Sequence, residues 1–152
     1  MKQKKRILGI LAILILLTAV LAMVHFSTRD KVPEGALMVT FQDKTTYLAL
    51  DKLTTAEISG TIVNGKGEEK DVHEKGVRVA DALREAGIDP SAVSLVTVTA
   101  ADEYSVELSG EEIREDGKAY LAEDGEGGVK LVVFGDANSK RNVRDVVKVT
   151  VQ

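Results

Sequence analysis

The 152 residues have room for one domain with its own core, and the absence of cysteine excludes disulfides, thiolate metal sites, iron–sulfur clusters and a cysteine nucleophile. The net charge of −4 is unevenly spread: residues 1–35 hold six cations against two acids, so residues 36–152 carry −8. An acidic domain with no basic stripe is repelled by phosphate backbones, so no nucleic-acid partner is expected.

Lys2, Lys4, Lys5 and Arg6 precede residues 7–26, which contain no charged side chain. Twenty residues at 1.5 Å rise give about 30 Å, the thickness of a bilayer's hydrocarbon core. The chain is therefore read as a basic cytoplasmic tail (1–6), a transmembrane anchor (7–26), a polar linker (27–35) and an extracytoplasmic domain (36–152). Cations ahead of the span place the N-terminus inside, giving a single-pass protein of the cell membrane. A cleaved signal peptide begins the same way, and Val20, Leu21 and Ala22 would suit its cleavage. The apolar run continues past them through Met23, Val24 and Phe26, longer than the usual h-region of about 7–15 residues.

Within the domain, residues 37–41 predict a strand, 47–50 a short extended piece and 51–53 a helical turn. Residues 57–63 predict a strand with Ile58, Gly60 and Ile62 on one face, ended by a turn at Asn64 and Gly65. Residues 65–76 are polar and read as a mobile loop or a loose hairpin. Val79, Ala82, Leu83 and Ala86 recur at helical spacing, predicting the one main helix over 77–86, with Gly87 to end it and Pro90 to prevent its resumption. Strands are expected at 93–100 and 103–108 around a tight turn at Ala101 and Asp102, then a helical turn at 109–113. A short strand at 119–122 and β-branched strands at 129–134 and 143–151 complete the pattern. The fold class is α+β, a strand-rich mixed-sheet domain with one main helix.

Three segments carry a family resemblance. G-V-R-V-A-D-A-L-R-E-A-G at 76–87 looks like the "G-V-x-L-x-D-L-L-x-x-A-G" helix of the molybdopterin-binding domain of sulfite oxidase-type oxidoreductases. V-T-V-T-A-A-D-E-Y-S-V-E-L at 96–108 is similar to that family's "V-x-x-A-A-D-G-Y-S-V-x-L" hairpin. K-L-V-V-F-G at 130–135, followed by R-N-V-R at 141–144, resembles its "L-R-L-V-V-P-G … R-S-V-K" segment, and L-A-L-D-K-L at 48–53 echoes "L-T-L-E-D-L". The resemblance implies a sulfite-oxidase-like fold and a molybdopterin cofactor. It also implies a metal-binding cysteine near Asn64, where this chain has T-I-V-N-G-K-G at 61–67, and a tryptophan where Asp145 stands. Two positions do match: Arg141 and Arg144 occupy basic positions that lie close to the cofactor's phosphate in the family.

Lys140, Arg141 and Arg144 form the candidate binding site, a local reversal of charge suited to an anion or phosphate. Asp102 is assigned to the hairpin turn, Tyr104 to packing on the sheet and His73 to an exposed loop. Glu111, Glu112, Glu115, Asp116, Glu123, Asp124 and Glu126 are assigned to solvated surface; their spacing is not that of a calcium loop. Gly125, Glu126, Gly127 and Gly128 read as a flexible turn. No catalytic or metal-ligating residue is assigned. The expected function is a membrane-anchored extracytoplasmic module that binds a protein partner or small anionic ligand without catalysis. The alternatives are a molybdopterin-dependent oxidoreductase, its metal held without a protein thiolate, and an accessory subunit of a membrane complex.

Overall fold

The computed structural model describes residues 2–27, 35–125 and 127–152, with the backbone alone at 2–6, 8 and 25–27. Residues 28–34 of the expected linker at 27–35, and Glu126, lie outside the described residues. The chain divides into two units, residues 1–31 and 32–152.

The described residues of the first unit form a single helix, α1 (Lys2–Ser27), of 26 residues, or about 39 Å at 1.5 Å per residue. Its described large apolar side chains, from Ile7 to Val24, are all exposed. Counting only described side chains, which break off at Leu8 and end at Val24, no helix is long and apolar enough to cross a membrane.

The second unit is an α+β domain rich in strands. In order it holds β1 (Ala36–Phe41), β2 (Lys44–Ala49), a 3-10 turn (Leu50–Lys52), β3 (Ala56–Val63), β4 (Glu69–Arg78) and α2 (Val79–Glu85). A second 3-10 turn (Pro90–Ala92), β5 (Leu95–Ala100), β6 (Ser105–Ser109), α3 (Gly110–Arg114), β7 (Ala119–Asp124), β8 (Gly128–Val133) and β9 (Val146–Val151) follow. Two sheets result, one in the order β2-β1-β9-β5-β6 and one in the order β3-β4-β7-β8. Among the described residues only β1 and β9 run parallel, as expected where most strands are joined by hairpins. Gln42 and Asp43, both at positive φ, make the two-residue turn between β1 and β2, whose twist suits a tight hairpin.

Alternation places the core. From the first sheet come Leu37, Val39, Val96, Val98, Leu108 and Val149, and from the second Val77, Leu121, Leu131 and Val133. Helix α2 adds Val79, Ala82 and Leu83, and α3 adds Ile113. The other face of the second sheet holds a smaller cluster of Ile58, Ala122, Val132 and Phe134, with Ile62, Val72 and Tyr120 packed against it.

One expectation needs correction and another is decided. Of the two readings of the polar stretch 65–76, loop or hairpin, the hairpin holds: β4 pairs with β3 through eight residues, from Ala56 with Gly76 to Val63 with Glu69. The main helix begins at Val79 rather than at 77, because Val77 and Arg78 pair with Leu121 and Tyr120 in the sheet. Gly87 does end it, at φ 79°, where its N–H bonds to Arg84 and Ile88 bonds back to Leu83. A second short helix, α3, is fixed by a capping box in which Ser109 and Glu112 satisfy each other's backbone N–H.

Candidate functional site

The segment that follows β8 carries the three cations singled out in the sequence, and its own polar groups shape it. Lys140 N–H donates to Asn138 Oδ1 at 3.0 Å, and Asn142 N–H donates to the Ser139 carbonyl at 3.0 Å. Val143 then bridges Leu131 of β8 in both directions. Tyr104 is not packed on the sheet: its side chain is exposed and its hydroxyl donates to the Lys140 carbonyl at 3.0 Å, tying the β5–β6 turn to this segment. Asp102 does make that turn, accepting from Tyr104 N–H at 3.0 Å.

The three cations do not converge. Arg141 donates to both oxygens of Asp136, Nε at 2.7 Å and Nη2 at 2.6 Å, and its Nη1 pairs with Glu112 Oε1 at 2.8 Å. Lys118 closes on the same Asp136 at 3.1 Å. Arg144 turns elsewhere, holding Asp124 by two hydrogen bonds of 2.6 and 2.9 Å. The Lys140 side chain is exposed and makes no ion pair among the described residues. The hydrogen bond to Asp136 raises the Arg141 guanidinium above its ordinary value, against the opposing effect of burial.

The acidic residues assigned to solvated surface need correcting at two positions. Asp124 is buried and Glu112 half-buried, and both are partners of the arginines. For Glu112 the pattern Ser109-x-x-Glu112 was a legible sign of helix capping. Asp124 stands at the end of β7, and nothing in the linear order links it to Arg144, twenty residues later.

Arg144 borders a cleft of about 480 Å³ on the outer face of the second sheet. Ile62 of β3, Val72 of β4 and Val132 of β8 supply its apolar walls, and Lys70, Glu74, Lys130 and Asn142 its polar ones. Lys130 pairs with Glu74 at 2.6 Å across the sheet. Asn142 Oδ1 accepts from Val133 N–H at 2.8 Å. Two buried atoms in this lining have no partner among the described residues, Glu74 Oε1 and Asn142 Nδ2. His73 also borders the cleft and is exposed, on β4 rather than in a loop. The candidate site of the sequence reading does not include Glu74, Lys130 and Asn142; the signal for Glu74 and Lys130 is their even spacing from Val72 and Val132 along the outward face of β4 and β8, and linear order offers none for Asn142 in the segment after β8. A larger hollow, about 580 Å³, lies beside the 3-10 turn at Leu50–Lys52 and the 127–129 bend. Among the described residues it has no buried unpaired group, so the smaller cleft is the better candidate for recognition.

The residues present do not fit a molybdopterin. A soft thiolate is missing from the whole sequence. At the expected ligand position, Asn64 Oδ1 accepts from Lys66 and Glu68 N–H at 2.8 and 3.0 Å, and Nδ2 donates to Glu68 at 2.9 Å. Its amide is consumed by the β3–β4 turn. The guanidinium forks of Arg141 and Arg144 are likewise closed on carboxylates.

No known protein family matches the chain, and no curated protein is significantly similar to it.

Proposed function

We propose that this chain is a membrane-anchored binding module, in which a sulfite-oxidase-like scaffold stands outside the membrane on one N-terminal span and recognises a small ligand or partner. The anchor is supported by the uncharged run at 7–26 within the 26-residue helix α1, and the orientation by the cations at 2, 4, 5 and 6. The scaffold is supported by the three sequence segments and by an α+β domain in which they form β4–α2, β5–β6 and β8 with the segment after it. Function belongs to a site rather than to a fold. The observation that carries the binding reading is the cleft beside Arg144, walled by Ile62, Val72 and Val132, where Lys130 pairs with Glu74 while Lys70 makes no ion pair among the described residues. The reading assigns binding rather than catalysis because the chain offers no cysteine, and of its two histidines one lies in the apolar run and the other is exposed.

Two measurements test it. Protease added to intact cells should digest the domain while the untreated full-length protein fractionates with membranes; a soluble mature protein beginning near Met23 would overturn the anchor. Native mass spectrometry of the protein from its own host should reveal a bound small molecule or a protein partner. Turnover of a substrate by the purified chain would overturn the assignment to binding.

A further inference from the structure

We propose that two copies of this chain pair through β3, edge to edge and antiparallel, so that their second sheets join into one. This pairing is independent of the anchor and of what the cleft binds. β3 is an edge strand of the second sheet. Its neighbour β4 meets β7 at Gly76, Val77 and Arg78, and among the described residues 69–75 of β4 pair with β3 alone. That stretch is a two-stranded ribbon, which is marginally stable in water until further strands or a packed face support it. One of its sides is left to solvent: Glu57, Ser59 and Thr61 of β3 and Glu69, Asp71, His73 and Lys75 of β4 are all exposed.

The edge of β3 is built to pair. Asn64 N–H donates to the Glu68 carbonyl at 2.8 Å where the hairpin closes. Backbone groups alternate sides along an antiparallel strand, so the even-numbered residues of β3 face β4. Glu57, Ser59, Thr61 and Val63 therefore turn their N–H and C=O outward, and no described residue bonds to these groups. Open edges are ordinarily blunted by lysine, proline, a bulge or a covering segment. Val143 bridges β8, Arg141 reaches the Glu107 carbonyl of β6 at 3.4 Å, and β2 begins with Lys44. β3 has neither lysine nor proline, and its register with β4 is unbroken.

The sequence of the strand selects a second copy as the occupant. Ile58, Ser59, Gly60, Thr61 and Ile62 read alike in both directions about Gly60. A two-fold axis at Gly60 sets Ile58 opposite Ile62 of the other copy, Ser59 opposite Thr61 and Glu57 opposite Val63. Apolar then meets apolar, hydroxyl meets hydroxyl, and the strand's one charge faces no like charge. Ser59 with Thr61, and Glu57 with Val63, are the outward residues, so each such pair exchanges both backbone hydrogen bonds. The apolar cluster of Ile58, Ile62 and Phe134 runs on across the axis into its own copy.

The full-length protein in detergent micelles should show by light scattering a protein mass of two chains, each of 16.4 kDa. Ser59→Pro removes an outward N–H while leaving the ladder with β4 complete, and should return the mass to one chain. Should that variant fold poorly, Ser59→Lys blunts the edge with the backbone intact and should do the same. Because the chain has no cysteine, introduced thiols report this contact alone. Differently tagged Ser59→Cys and Thr61→Cys chains, co-expressed and oxidised in their membranes, should give a disulfide-linked product carrying both tags. Its yield should exceed severalfold what either variant forms with itself, since Ser59 lies opposite Thr61 rather than Ser59. A two-chain mass that survives both the proline and the lysine variant would place the contact elsewhere and overturn the pairing. Mixed and single products in equal yield would mean chance collision, and would overturn it whatever the mass in micelles.

Discussion

Arg144 grips Asp124 by two hydrogen bonds, Nη2 to Oδ1 at 2.6 Å and Nε to Oδ2 at 2.9 Å, yet the partners sit in different surroundings. The Asp124 side chain is 9% exposed and that of Arg144 71%. The hydrogen bond from Arg144 holds the Asp124 carboxyl below its ordinary range, against burial that pushes it up. Losing the arginine strands a buried charge, whereas losing the acid returns an exposed guanidinium to water.

The two halves of the pair should therefore differ in worth. Arg144→Ala is expected to cost about 1–3 kcal/mol, the penalty for a buried group left without its partner. Asp124→Leu removes the buried charge itself and should cost less. Urea midpoints of the two variants check the ordering, and a larger loss for Asp124→Leu would reverse it.

Asp136 is the hub of a second cluster, held by Arg141 and Lys118, with Glu112 on the far side of Arg141. Burial alone would push the Asp136 carboxyl up, but the hydrogen bonds from Arg141 and Lys118 prevail and leave it below its ordinary value. Glu112 behaves alike: burial raises it, and the Ser109 N–H and Arg141 bring it lower. Carboxyls lowered by folding contribute stability above their unfolded values near about 4 and lose it as pH falls through the folded ones. The melting temperature should hold through neutral pH as far as these groups decide it, and drop below about pH 4. Asp136→Asn should lower the neutral melting temperature and flatten the acid limb in calorimetry between about pH 3 and 8. An unchanged acid limb would remove Asp136 from the account.

These clusters also show where the sequence was legible and where it was not. Strands such as Ala36–Phe41 and Gly128–Val133 were readable because β-branched and apolar residues dominate them and one or both faces are buried. The residues of β4 are compatible with loop or hairpin because its first half faces water and carries charge at most positions, so its pairing comes from β3 rather than from its own pattern. The arginines were found as cations, but their role could not be read. Asp124, Asp136 and Glu112 reach them only through the pairing of β7 with β8, the bend after β8 and the placing of α3, which linear spacing does not encode.

Packing on the outer face of the second sheet makes Gly60 a sensitive position. A Cβ there would stand 2.6 Å from the Phe134 ring, which itself meets Tyr120 edge-on at a centroid distance of 5.8 Å. Gly60→Ala should thus cost about 1–3 kcal/mol by overpacking. Phe134→Leu in the same chain should recover part of that loss, so the two substitutions together cost less than their sum. Additive losses in denaturant midpoints would show that the ring is not the obstacle.

The last expectation concerns the metal. Protein purified from cells grown with molybdate should contain well below one molybdenum per chain, because a molybdenum centre of the resembled family is anchored by a thiolate and this sequence has none. Asn64 does not substitute: three hydrogen bonds to Lys66 and Glu68 commit both ends of its amide to the turn. Nor are Arg141 and Arg144 waiting for a phosphate, since each already grips a carboxylate by two hydrogen bonds. To bind one, either arginine would first have to release an acid that is itself half-buried or buried, and the ligand would have to repay that exposure. Inorganic phosphate should therefore raise the melting temperature no more than chloride of equal ionic strength, where a specific site would show a shift that grows with ligand concentration. Elemental analysis giving about one molybdenum per chain would establish a metal held without sulfur and return the protein to the oxidoreductases. A phosphate-specific shift without molybdenum would instead mean that one of the arginine clamps opens for an anion.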